Sequence, residues 1–286
     1  MSAQIQTKRI MPADVARRKG GEPIVVLTAY DAPTAAILDA HCDVILVGDS
    51  VGMVVHGLPS TVGVTMEMMI LHGRAVMRAA SRALVVIDMP FGSYEESPEQ
   101  AFRNASRLLT ETGAQAVKIE SGRYAAETIR FLVERGVAVM GHVGLRPQAV
   151  NVAGGFRARG RDAAEREQIL AEARAADEAG AFAIVVEAVA EDFARELTAL
   201  IAAPTIGIGA SPACDGQVLV TQDMLGLFDW TPKFVKRYAS LKGIVDEAVR
   251  QFAVEVRART FPAPAQVYRL ETGAAPGRRG PRKRGP

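Results

Sequence analysis

Five short apolar runs in this 286-residue chain lead into a group able to hold charge or move a proton. Val44 to Val47 leads to Asp49 and Ser50, Leu84 to Ile87 to Asp88, and Ala116 to Ile119 to Glu120. Val137 to Met140 leads to His142, and Ala183 to Val186 to Glu187. Carboxylates that only cap helices would be scattered, whereas these hold the same place in successive repeats. Residues two apart on a strand share a face, which pairs Val47 with Asp49, Val86 with Asp88, Lys118 with Glu120 and Val185 with Glu187. With that face turned into a barrel, all of these groups converge on one mouth.

Several carboxylates in one small space repel each other unless protons or a cation compensate them. Oxygen-only ligands from Asp49, Asp88 and Glu120 point to a hard divalent ion, Mg²⁺ first and Mn²⁺ next, rather than to structural zinc. His41, His56, His72 and His142 form no i, i+4 pair flanking a glutamate, and the first three read as capped or core histidines. Lys118 is costly to bury without a negative partner. It reads either as one half of a structural pair with Glu120 or as the fixed cation for an anionic substrate. A Schiff-base lysine is the competing reading, made redundant by a metal that already serves as electron sink.

The elements that must carry these groups are a regular alternation. Apolar runs at Ile24 to Thr28, Val44 to Val47, Leu84 to Ile87, Ala116 to Ile119, Val137 to Met140, Ala183 to Val186 and Thr205 to Ile208 read as strands. Phe234 to Tyr238 is a weaker eighth. Helices are expected at about 7–20, 32–41, 66–80, 98–111, 124–135, 163–179, 190–202 and 240–258. Gly113, Gly136 and Gly180 stand where three of them should stop. The expectation is an α/β fold, a (β/α)8 TIM-type barrel with an extra N-terminal helix, filling 1–270 as one catalytic domain; an open doubly wound sheet is the alternative.

Residues 271–286 lack apolar periodicity and read as a disordered basic tail. That tail has five basic residues against Glu271, a surplus larger than the chain's formal charge of +2, so the body is slightly acidic and no nucleic-acid partner is expected. No apolar run spans a bilayer and no secretory leader is visible, so no membrane association is expected. Two cysteines, Cys42 and Cys214, point to a reducing cytoplasm rather than a disulfide framework. The glycine-rich stretches Gly207 to Gly216, a candidate phosphate-holding loop, and Gly154 to Gly160 lack the dinucleotide fingerprint.

Ten stretches in order carry a resemblance: TAYDAPTA (28–35), VGDSVGM (47–53), VTMEMMILHGRAV (64–76), DMPFGSY (88–94), VKIESG (117–122), VMGHVGLRPQAVN (139–151), VVEAV (185–189), TIGIGA (205–210), DGQVLV (215–220) and PKFVKRY (232–238). From about residue 5 to 270 the chain resembles the ketopantoate hydroxymethyltransferase family. Ser211 stands where glycine is expected and Ala190 where proline is common. The resemblance implies a (β/α)8 barrel, one Mg²⁺ per subunit, and transfer of a one-carbon unit from 5,10-methylenetetrahydrofolate to 3-methyl-2-oxobutanoate, giving 2-dehydropantoate for pantothenate and coenzyme A. It implies metal positions at Asp49, Asp88 and Glu120, and 2-oxo acid contacts at Asp49, Ser50, Asp88 and Lys118. Glu187 matches the proton acceptor and His142 a substrate contact. It also implies a homo-oligomer, a decamer among the forms suggested. Arg157 and Arg159 are candidates for holding the folate's acidic tail. Two other readings stay open: another Mg-dependent 2-oxo acid barrel enzyme, a lyase or mutase, and a non-enzymatic protein using its basic tail.

Overall fold

In a computed structural model, which describes residues 8–268 apart from 123 and 156, eight parallel strands close into a barrel in sequence order. The strands are β1 (Ile24–Thr28), β2 (Val44–Val47), β3 (Leu84–Asp88), β4 (Ala116–Lys118), β5 (Ala138–Gly144), β6 (Ala183–Glu187), β7 (Thr205–Ile208) and β8 (Gly216–Leu219). Closure comes from β1 pairing with β8, Ile24 opposite Gly216 and Val26 opposite Val218. The chain divides into two compact units, residues 1–239 with the barrel and residues 240–286 with the helix Leu241–Arg257. The tail expected at 271–286 lies outside the described residues.

Helices follow most strands, at Ala32–Asp39, Met66–Ala79, Pro98–Thr112, Ala125–Glu134, Ala163–Glu178 and Glu191–Leu200. Local chemistry sets their ends. Asp31, Thr65, Ser97 and Asp162 each accept a backbone N–H of the first turn, which satisfies donors that a helix start otherwise leaves open. The N-terminal helix is short, Pro12–Ala16, and sends Val15 into the barrel floor.

Two apolar layers result. Inside the barrel, Ile24, Val26, Val44, Leu46, Leu84, Val86, Met140, Val185, Ile206 and Val218 pack together. Outside it, Ile45, Val47, Val85, Ile87, Val117, Val139, Ile184 and Val186 face the helices. The strands are therefore apolar on both faces, as a covered parallel sheet requires.

The eighth strand is not where the sequence pattern put it. Phe234 to Tyr238 forms turn and coil, and β8 is Gly216–Leu219, which begins at the last residue of the stretch read as a glycine-rich loop. No helix intervenes between β7 and β8, so the alternation that marks the other strands is missing there. Gly216 shows why the segment closes the barrel: a Cβ there would lie 2.5 Å from the Ile24 carbonyl oxygen and 2.8 Å from Ile206 Cδ1. Only glycine permits strands that close.

Candidate active site

Strand alternation places the apolar floor and the polar mouth on the same interior face. Val86 leads to Asp88 on β3, Met140 to His142 on β5 and Val185 to Glu187 on β6, and Lys118 follows Ala116 at the end of β4. Asp88, Lys118 and His142 are buried, at 2%, 6% and 3% exposure, although each is polar or charged. Asp49 and Glu120 lie two residues past β2 and β4, also buried.

Asp49 corrects one step of the sequence argument. Its strand partner by alternation, Val47, belongs to the outer layer, and Val44 and Leu46 face inward. The chain leaves β2 before Asp49, and this departure turns the carboxylate to the mouth. There the Asp49 N–H donates to Asp88 Oδ2 at 3.0 Å, and Asp49 Oδ2 accepts from Gln148 Nε2 at 2.8 Å.

A line of charged and titratable groups crosses four adjacent strands. Lys118 Nζ is 3.1 Å from Asp88 Oδ1 and 3.3 Å from His142 Nδ1, and His142 Nε2 is 3.2 Å from Glu187 Oε2. The ammonium has only donors, so His142 Nδ1 must accept from it. Burial, then the neighbouring Lys118 charge, holds the His142 pKa well below the usual histidine range. The ring is neutral, and its one proton is assigned to Nε2, on the Glu187 side. The partner that the sequence suggested for Lys118 was Glu120; the ion pair that forms is with Asp88.

The electrostatics show too little positive charge. Burial, with the Asp49 charge adding to it and Lys118 opposing it, raises the Asp88 pKa to about 7. Glu120 is pushed well above the usual carboxylate range by burial and then by Asp49. For Lys118, burial works to lower the pKa, but Asp88, Asp49 and Glu120 together overcome it and the net shift is upward. One ammonium among three carboxylates leaves a deficit that a divalent cation would fill.

The donor set fits such an ion. All its atoms are oxygen, and Asp88 Oδ1 is buried without an aligned hydrogen bond among the described residues despite its contact with Lys118. Among the described residues, no group of three or more His, Cys, Asp or Glu side chains is arranged to hold a metal ion by itself, so water or substrate oxygens would have to complete the coordination. That arrangement suits Mg²⁺, which is usually held by one or two carboxylates and keeps waters or substrate oxygens on its other faces.

Glu187 stands apart from the acid cluster. Its side chain keeps 15% exposure, and burial raises its pKa to about 7 against the opposing effect of Lys118. Ala188, directly after it, has φ 49°, a strained value for a residue with a Cβ and one commonly found beside functional groups. Ser50, next to Asp49, bonds through Oγ to Tyr30 OH at 2.8 Å.

Sequence reasoning missed the residues that hold these groups. Gln148, Tyr94 and Tyr30 are buried and touch Asp49, Glu120 or Ser50, yet none sits on a strand end. Their only sequence signal is their presence inside the quoted motifs. Of the folate candidates, Arg159 pairs with Glu165 at 3.1 Å, and Arg157 is exposed. The glycine-to-serine departure at 211 is accommodated: Ser211 is buried and its Oγ donates to Glu191 Oε1 at 2.8 Å.

Residues 9–264 match the family described as ketopantoate hydroxymethyltransferase. The 3-methyl-2-oxobutanoate hydroxymethyltransferase of Hyphomonas neptunium is 69% identical over 270 residues, covering 94% of this chain and 98% of that protein. The Maricaulis maris protein of the same name is 66% identical over 275 residues, 95% of this chain and 99% of its own. Among solved structures, a 2,3-dimethylmalate lyase superposes with a TM-score of 0.58 at 16% identity, covering 89% of this chain and 87% of that one. A phosphonopyruvate hydrolase gives 0.57 at 13% identity, with 91% of each chain covered. At such identities the structural likeness is one of fold.

Proposed function

Because the chain belongs to the ketopantoate hydroxymethyltransferase family and is a hydroxymethyltransferase, we propose that it moves a one-carbon unit from 5,10-methylenetetrahydrofolate to 3-methyl-2-oxobutanoate, with Mg²⁺ and with Glu187 as the base. The observation that carries this reading is the separation of roles at the barrel mouth. The Asp49 N–H binds the Asp88 carboxylate and Gln148 bridges Asp49 to Glu120 on one side, and Glu187 stands beyond Lys118 and His142 with its own raised pKa.

A bound Mg²⁺, held by Asp49, Asp88 and Glu120 directly or through water, would act as a Lewis acid on the keto group and make the neighbouring C–H more acidic. Lys118, already drawn to Asp88, supplies the fixed positive charge for the substrate carboxylate. Glu187 removes the proton from the branched carbon. Its pKa near neutrality suits a group that must both take and release a proton at pH 7. His142 Nε2 lies 3.2 Å from Glu187 Oε2 without an aligned hydrogen bond among the described residues, so the carboxylate stays open to the incoming proton. The electron pair left on the branched carbon then attacks the methylene carbon of the folate as one of its two C–N bonds breaks; water replaces the second nitrogen and supplies the hydroxyl, and the two nitrogens take up the proton held by Glu187 and one from water, so that tetrahydrofolate leaves. Homo-oligomeric assembly in a cytoplasmic setting belongs to the same proposal.

The test supplies purified protein with 3-methyl-2-oxobutanoate, the folate and Mg²⁺. Formation of 2-dehydropantoate that stops on chelation supports the reading. Turnover of oxaloacetate-like or phosphonate substrates without folate would replace it with the lyase or mutase alternative.

A further inference from the structure

We infer that Gln148 is a positioning residue that sets the spacing and orientation of Asp49 and Glu120 for a shared divalent cation, an inference that rests on reading those acids as the cation's site. Gln148 lies in the 3₁₀ turn Pro147–Ala149 that follows β5, and it is only 5% exposed. Its backbone N–H donates to Glu120 Oε1 at 3.0 Å. Its side-chain Nε2 donates to Asp49 Oδ2 at 2.8 Å and to the Met89 carbonyl at 3.0 Å. One residue thus grips two expected metal carboxylates from different strands and the backbone beside the third.

The orientation of the amide follows from its partners. The Met89 carbonyl can only accept, so the amide nitrogen must face it. Tyr94 OH accepts from the Glu120 N–H at 3.2 Å, and its own proton goes to Gln148 Oε1 at 2.6 Å. Each polar atom of the Gln148 side chain is therefore engaged, as a buried amide requires. The network also leaves Asp49 Oδ1 and Glu120 Oε2 outside it, so each acid keeps an oxygen to offer.

The residue type matters. A lysine or arginine here would neutralise the acids and compete with a cation, and a glutamate would add a fourth negative charge. A neutral amide fixes both carboxylates and leaves the need for positive charge intact. The segment that leads from β5 into this turn is anchored to the other half of the site, because the Leu145 N–H donates to the Glu187 carbonyl at 2.8 Å.

The experiment titrates Mn²⁺ into metal-stripped full-length protein without substrate and reads free Mn²⁺ by electron paramagnetic resonance. Removing the partner of a metal-binding carboxylate typically costs 10- to 100-fold in affinity, so Gln148→Met should weaken Mn²⁺ binding by about that factor. Tyr94→Phe keeps the amide but frees its orientation, and should weaken binding several-fold; it carries the test if Gln148→Met does not fold. A purely structural role would lower the thermal midpoint and leave the affinity of the folded protein unchanged, and that result overturns the inference. A wild-type protein that takes up no Mn²⁺ fails differently, since it removes the cation site on which the inference stands.

Discussion

Burial is what gives the individual residues their chemistry. Glu187, raised to about pKa 7, must be ionised to accept a proton, and His142 is held neutral by burial and Lys118. Deuterium exchange catalysed at the branched carbon should therefore rise with pH, roughly tenfold per unit below 7, and level off above it. A flat profile from pH 5.5 to 8.5, measured by NMR, would contradict the assignment of the base. Asp88 and Glu120 make a second prediction. Their folded pKa values lie above the unfolded ones, so the stability this contributes is complete at low pH and is lost as pH rises through the folded values. A cation binding the ionised acids offsets that loss. Mg²⁺ at 100 times its Kd at pH 8 should stabilise by about 2.7 kcal/mol there, raising Tm by several degrees, and the same concentration should raise Tm less at pH 6 in scanning calorimetry. An equal rise at both pH values would place the ion elsewhere.

Strands and turns decide whether these groups meet. Gly144, the last residue of β5, has φ 92°, and a Cβ there would come 2.4 Å from the Glu187 carbonyl oxygen and 2.6 Å from Val189 Cγ2. Gly144→Ala should push the end of β6 outward and move Glu187 with it. The expected result is at least a tenfold loss in kcat/KM and about 1–3 kcal/mol of stability, read from steady-state kinetics and urea unfolding. Wild-type kinetics in that variant would show that the end of β6 tolerates displacement. Seven strands were readable from the sequence because each is a mostly apolar run of strand length, and all but β7 are followed by a helix. The eighth was hidden because Gly216–Leu219 has two apolar residues and no helix before it. The site divides along the same line. Asp88, Lys118, His142 and Glu187 could be found because strand periodicity marks interior faces. Gln148 could not, since its contact with Asp49 spans 99 positions and loop residues follow no period. Alternation even misled at Asp49, where the chain had already left the strand.

The whole barrel separates stability from chemistry along its axis. Val15 and the inward valines, leucines and isoleucines fill the lower interior, and the charged groups occupy the end where the strands stop. Solved structures share this scaffold at 13–18% identity, as expected where apolar layers tolerate substitution as long as volume and patterning are kept. Assembly is a property at this scale as well. Light scattering should give a mass several times the 30.5 kDa of one chain, and a mass of 30.5 kDa at micromolar concentration would contradict the proposed oligomer.

The proposed reaction begins with a cation-assisted proton removal that needs no folate. NMR of 3-methyl-2-oxobutanoate in deuterated buffer, with enzyme and Mg²⁺ but no folate, measures that step alone. Deuterium should enter the branched carbon, should stop entering on chelation, and should be lost in Glu187→Gln while that variant still binds Mn²⁺. Exchange at the wild-type rate in Glu187→Gln, or in the presence of chelator, would contradict it.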